Sequence, residues 1–233
     1  MPTAPKKTDL KTTDSRRARS NATKQAMMRA AEKLIAQVGV ENTSIREIVA
    51  EAGQKNESAI QYHFKNLSGL LEAIHTERSE QIQQYRAKAL AEVLQSTNQP
   101  DLRQLCTLMV APTFELARAN ADFRRYIKAF GHELALSEAS PLKIVTTKGG
   151  GGESGLQVSS FLRKTLGHLD SSIFQQRMEA VVMLCSVAMS RQARQKNAFR
   201  GQQSEMFFHN LVDAMVGLLG APVSPETQAA SQE

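Results

Sequence analysis

Thr43-Ser44-Ile45-Arg46-Glu47-Ile48-Val49-Ala50-Glu51-Ala52-Gly53-Gln54-Lys55-Asn56-Glu57-Ser58-Ala59-Ile60-Gln61-Tyr62-His63-Phe64-Lys65-Asn66 reads as two short helices separated by a turn at Gly53. Ser44 and Glu47 have capping-box spacing, in which a hydroxyl and a carboxylate each satisfy an orphan backbone N–H at a helix start. Ile45, Ile48, Val49 and Ala52 fall at i, i+3, i+4 and i+7, one apolar stripe of a helix. Gly53 suits the left-handed conformation that ends such a helix. In the second helix Ile60 and Phe64 are spaced to face a core. Gln61, Tyr62, His63 and Lys65 supply donors and rings too polar for one. This is the layout of a helix-turn-helix whose second helix enters a major groove.

Upstream, Met27, Ala30, Ala31, Leu34, Ile35 and Val38 hold helical spacing over Ala22 to Val38, and Gly39 closes that helix. Thr-Ser-Ile-Arg-Glu-Ile, Glu-Ala-Gly at 51–53 and Tyr62-His63-Phe64-Lys65-Asn66 together resemble the DNA-binding domain of the TetR/AcrR family of bacterial regulators, over about Ala22 to Leu71. The resemblance implies an all-α homodimer, usually a repressor, with three helices for DNA and about six more for ligand and dimer contacts, about nine in all. In one departure, Phe64 lies eleven positions after Gly53, one more than the family usually has. The turn is therefore expected to be one residue longer, and Gln61 stands where the family usually has tyrosine.

The resemblance carries over Tyr62 and His63 as phosphate or thymine-methyl contacts and Lys65 as a phosphate contact just past the helix. Ser44 at a helix N-terminus suits a phosphate through hydroxyl and backbone N–H, and Arg46 reaches backbone or bases on the same side. Gln61 can pair bidentately with adenine, as can Asn56 if the longer turn lets it face the groove. The expected DNA-contacting set is Thr43, Ser44, Arg46, Asn56, Ser58, Ala59, Gln61, Tyr62, His63 and Lys65. For each, the plainer reading is a solvated side chain.

At 233 residues the chain can bury a sizeable core in one or two domains. No run approaches the roughly 18–20 apolar residues of a membrane span, and the Lys- and Thr-rich start is unlike a signal sequence. Cys106 and Cys185 sit in apolar helical stretches, as expected of buried thiols in a reducing cytoplasm rather than a disulfide. The net charge of +6 is unevenly spread. Residues 1–24 hold seven basic side chains (Lys6, Lys7, Lys11, Arg16, Arg17, Arg19, Lys24) against Asp9 and Asp14, a net of +5; residues 25–66 are balanced. A flexible basic arm for a polyanion explains this excess. A solubilising leader is the alternative.

The domain reading is a disordered basic tail over 1–20, the helix-turn-helix over 21–66, a helical effector-binding and dimerisation domain over 67–220, and a disordered tail over 221–233. A long helix is expected from Leu67 to Leu94, then helices at 101–119, 121–136, 155–168, 171–198 and 204–220. Pro112 should kink or split the first of these five, because it removes a backbone donor. The last two are apolar nearly all round, which suggests a second burial partner. The resemblance makes them a four-helix bundle with a twofold mate through Met178, Val181, Val182, Cys185, Phe208, Leu211, Val212 and Met215. Burial within one subunit is the alternative. Leu105, Met109, Phe114, Phe123, Ile127 and Phe130 line an effector pocket or simply fill the core. Arg124, Arg125, His132 and Glu133 are candidate polar ends for a ligand.

Other chemistries are weak. Gly150 to Gly155 match G-x-G-x-x-G after a possible strand at Leu142 to Thr147, with Asp170 twenty positions on. No second strand fits before Asp170, so no βαβ unit presents that turn, and a mobile loop is the better reading. His132-Glu133 lacks a second histidine at Leu136, and the other histidines have no partner at metal-ligand spacing. No cofactor, metal or catalytic activity is expected. The reading is a cytoplasmic, dimeric, ligand-responsive regulator that binds double-stranded DNA, with half-sites roughly 10 bp or a multiple apart and a small-molecule effector. Its rivals are a constitutive or architectural DNA binder of the same fold and a helical protein-interaction module.

Overall fold

The computed structural model describes residues 7–133, 138–147 and 152–231. Eleven helices run through these residues and no strand is found among them. They are α1 (Lys7–Val38), α2 (Ile45–Glu51), α3 (Ser58–Phe64), α4 (Leu67–Ser96), α5 (Leu102–Ala119), α6 (Ala121–Phe130), α7 (Pro141–Thr147), α8 (Gly152–Thr165), α9 (Ser171–Ala193), α10 (Gln202–Gly220) and α11 (Pro225–Ala230). The chain forms two compact units, Met1–Ile74 and His75–Glu233, so the division falls inside α4 rather than at its start.

In the first unit Met27, Met28, Ala30, Ala31 and Ile35 of α1 are buried with Ile48 and Val49 of α2, Ile60 and Phe64 of α3, and Leu70 and Ile74 of α4. Each helix therefore spends its apolar stripe on one shared core. The expected disorder of residues 1–20 is corrected in part, because α1 begins at Lys7. No glycine or proline interrupts residues 7–38, so nothing in the backbone stops the helix.

The second unit buries Leu90 of α4, much of α5, Phe123 and Ile127 of α6, Val158 and Leu162 of α8, and the inner faces of α9 and α10. Pro112 does not split α5. Its missing N–H leaves the Leu108 carbonyl without its helical donor, and the buried Arg86 donates Nε–H to that oxygen at 3.3 Å. Burial pushes the Arg86 guanidinium below its ordinary pKa. Phe199 holds a positive φ of 61°, yet its ring is fully buried edge-on to Phe114 at 5.6 Å. Packing there offsets a backbone cost of roughly 1–3 kcal/mol.

Several expectations for this unit are corrected. Leu142 to Thr147 is helix, begun by Pro141 at a position where proline is preorganised for a first turn. Of the proposed dimer residues, Met178, Val181, Leu211, Val212 and Met215 are buried within the single chain, while Val182, Cys185 and Phe208 are half-buried. Of the proposed pocket residues, Leu105, Phe114, Phe123, Ile127 and Phe130 are packed core, and Met109 is half-buried. Three of the four polar ends are engaged, while His132 Nδ1 and Arg125 Nε are buried with no hydrogen-bond partner among the described residues. Arg124 donates to the Ala117 and Arg118 carbonyls at 2.7 and 3.3 Å; Arg125 pairs with Asp122; a Glu133 carboxylate oxygen lies 3.8 Å from His75 Nε2. Helical periodicity cannot distinguish a filled core from a cavity wall or an interface.

The C-terminal expectation of disorder fails at α11. Ser224 caps it by accepting from Thr227 N–H at 3.2 Å, and Gln228 donates to Asp170 at 2.9 Å. Both cysteines are free thiols, as expected, and burial raises each pKa to about 12. The glycines at 149–151 and Leu136 lie outside the described residues. No described helix is long and apolar enough to cross a membrane.

Candidate nucleic-acid interface

The interface is built on how α1 ends and α2 begins. Gly39, at φ +85°, turns the chain, and the Thr43 hydroxyl donates to the Gly39 carbonyl at 2.7 Å while Asn42 donates to Val38 at 2.9 Å. These bonds satisfy carbonyls left open by the helix terminus. Thr43 is consequently buried, and the expectation that it contacts DNA is corrected: it anchors the turn.

Ser44 then caps α2 through the capping box read from the sequence. Its Oγ accepts from Glu47 N–H at 3.2 Å, and the Glu47 carboxylate accepts from Ser44 N–H at 2.9 Å and from Ser44 Oγ–H at 2.7 Å. These bonds, the hydroxyl's first and the backbone's second, hold the Glu47 carboxyl below its ordinary pKa. Both Ser44 donors that a phosphate would use are thus occupied by Glu47. Arg46 is exposed on the same short helix.

The turn has the hydrogen bonds of a Schellman motif: Gln54 N–H to Val49 O at 2.9 Å and Gly53 N–H to Ala50 O at 3.0 Å. Gly53 takes φ +66° with open space where a Cβ would stand, so glycine is needed for the conformation and not for room. The six residues from Ala52 to Glu57 separate the helices. Within them the Asn56 side-chain oxygen accepts from Ser58 N–H at 2.9 Å, closing an Asx turn at the start of α3. Asn56 is exposed, but that bond takes one of the two lone pairs of the oxygen that a bidentate pairing with adenine would use and fixes the amide to the turn.

Across α3, Ile60 and Phe64 face inward while Ser58, Gln61 and Tyr62 are exposed, flanked by half-buried Ala59 and His63. Tyr62 is 80% exposed although it is an aromatic ring, and it stands edge-on to His63 at 4.8 Å. Burial, and then the charge of Lys24, lower the His63 pKa, so the ring is a neutral hydrogen-bonding group near pH 7. Lys65 is exposed in a positive-φ turn (φ 71°, ψ −48°) that ends α3. Asn66 then caps α4 by accepting from Gly69 N–H at 2.9 Å. Gly69 is there because a Cβ would lie 2.0 Å from the Phe64 carbonyl oxygen.

Asn56, Ser58, Ala59, Tyr62 and His63 line one open concavity together with Gly53, Gln54 and Lys55. Two residues of this surface went unnoticed in the sequence. Lys55 was signalled by its charge inside the turn. Lys24 carries no local signal, because its place beside α3 depends on how α1 and α3 pack.

Residues 27–74 match the sequence model of the family described as bacterial regulatory proteins, tetR family. No curated protein matches the chain. The matched segment takes in α2, α3, the capping box and the turn, together with the buried part of α1 and the start of α4. Residues 27–74 therefore carry the helix-turn-helix domain of the tetR family of bacterial regulatory proteins, and the match supports a DNA-binding transcriptional regulator of that family.

Proposed function

We propose that this regulator is a homodimeric repressor that a small molecule releases from a pseudo-palindromic operator. The observation that carries the DNA-facing half is Tyr62, a ring left almost wholly in solvent on a helix whose opposite side is core. Gln61 and Tyr62 are the base-reading pair, with His63 and Ala59 at the groove edge. Ser58, Lys65, Arg46 and Lys55 meet the backbone, where phosphate contacts position rather than specify.

The dimer half is supported by the outer stripe of α9. Ala180, Met183 and Val187 recur there at helical spacing and are exposed, as are Met206, Ala214 and Gly217 of α10. Apolar and small residues aligned on the outside of two neighbouring helices suit a four-helix interface with a second copy. This stripe replaces the buried residues expected from the sequence. An effector would act by favouring a subunit arrangement that misplaces the two copies of α3, by no more than its differential affinity for the two arrangements. A constitutive DNA binder is the second reading, favoured by the burial of five of the six residues expected to form the pocket.

Selection of duplexes from a random pool by the full chain should return a sequence with twofold symmetry. Tyr62→Ala should lose that duplex by at least tenfold while sedimenting as wild type does. Wild-type affinity in the variant refutes the recognition surface. Selected duplexes that remain bound in the presence of every compound in a metabolite library favour the constitutive reading.

A further inference from the structure

We infer that the N-terminal half of α1, Lys7 to Lys24, is a stiff basic arm that grips the DNA phosphates flanking the half-site read by α3. The inference rests on the DNA-binding reading of α3 and adds a second contact surface to it. Residues 1–24 carry a net +5 of the chain's total of +6. The sequence suggested a coil there, and a coil can trail anywhere. The structure instead continues α1 through this segment without a break, and the same helix buries Met27, Met28 and Ala31 in the core of the first unit. The packed half of the helix therefore aims the unpacked half.

Among its described side chains the arm has little to do within its own chain. Arg16, Arg17 and Arg19 are exposed, and residues 15–31 contain no acidic side chain. Among the described residues none of the three forms an ion pair; Arg19 donates one hydrogen bond, to Ser15 Oγ at 3.0 Å. Arg16 and Arg19 lie one turn apart, where like charges destabilise a helix. Guanidinium forks suit phosphate oxygens, and binding them releases counterions.

The base of the arm lies at the recognition helix. α1 packs on α3, and Lys24 is near enough to His63 for its charge to act on that ring. Arg17 and Lys24 are seven positions apart, with Ser20 and Asn21 between them at one-turn spacing, so both basic groups share a side of α1. At about 1.5 Å per residue, Arg17 stands about 10 Å beyond Lys24 and the helix start about 25 Å beyond it. The full arm exceeds the roughly 12 Å width of a major groove, and Arg16, Arg17 and Arg19, about 7–12 Å beyond Lys24, stand at the groove's edge, where the backbone flanks the segment α3 occupies. An anionic lipid surface would also attract them, but would give no reason for the arm to begin beside α3.

The test uses the full chain and an Arg16→Gln/Arg17→Gln/Arg19→Gln variant, all three positions being exposed and outside the core. Both are titrated with a duplex selected from a random pool, and with that duplex trimmed to its half-sites, between about 50 and 200 mM salt. With three phosphates released, the slope of log K against log salt should be shallower by about 2.7 in the variant, so wild type loses about 40-fold more affinity across that range. Trimming the flanks should weaken wild type and leave the variant unchanged. Equal slopes in the two proteins overturn the arm. Equal slopes together with arginine-dependent binding to phosphatidylglycerol vesicles overturn it in favour of a lipid surface. A wild-type chain that binds no duplex at any salt overturns the DNA-binding reading and the arm with it.

Discussion

Replacing Gly69 with alanine would place a methyl carbon 2.0 Å from the Phe64 carbonyl oxygen, where 3.4 Å or more is ordinary contact. The obstacle is backbone, so no side chain can swing aside. Either the start of α4 or the end of α3 must shift by more than an ångström. Alanine in place of glycine within a helix ordinarily gains up to about 1 kcal/mol. Overpacking against an unyielding neighbour costs about 1–3 kcal/mol or more. The clash should win here, because Phe64 is 5% exposed and is one of the two side chains that hold α3 to the core. We expect a net loss of roughly 2 kcal/mol, a drop in Tm of about 4–8 °C for a chain of this length, and weaker binding to any selected duplex as the end of α3 moves. Circular dichroism melts and duplex titrations measure both. A Gly69→Ala protein that melts at or above wild type and binds DNA fully would show that α3 and α4 do not approach as described.

Two further outcomes follow from particular groups. Burial and then Lys24 hold the His63 pKa below 6.5, so the unfolded chain takes up the proton more readily than the folded one. The stabilisation from a neutral ring is therefore present above pH 6.5 and lost as pH falls through the lower folded value. His63→Gln should flatten the fall in urea midpoint between about pH 7 and pH 5; a steeper fall in the variant contradicts the sign. Arg86→Met removes the donor to Leu108 O and should cost about 1–3 kcal/mol for the orphaned carbonyl. Restoring the helical N–H with Pro112→Ala should reduce that cost in the double variant. Additive losses in the urea-unfolding cycle would mean that Arg86 is not compensating for the proline.

Features decided within a few residues were legible in the sequence. The Ser44/Glu47 box, the left-handed Gly53 and the inward Ile60 and Phe64 each follow from chemistry within one turn of helix. Features decided by what lies across a gap were not. Met215 and Leu211 look alike in sequence whether they meet a neighbour within the chain or a second copy, because α10 is apolar over most of its circumference. Asn56 looks like a base-reading amide until the backbone shows that its oxygen closes a turn. Some signals were present but outweighed by composition. Ser224-Pro225-Glu226 is a good helix start inside a polar terminus, and the absence of glycine and proline allowed α1 to extend into its charged leader.

The shortness of α3 limits how much information one subunit can extract from DNA. Seven residues ended by a strained lysine expose only Ser58, Gln61 and Tyr62 fully, and a good contact distinguishes one base from another by about 1–3 kcal/mol. Singling out one address among about a million competitors takes roughly 8 kcal/mol. So small a reading head falls short or barely suffices, and a second copy of it, as in the proposed dimer, would supply the missing discrimination by reading the message twice.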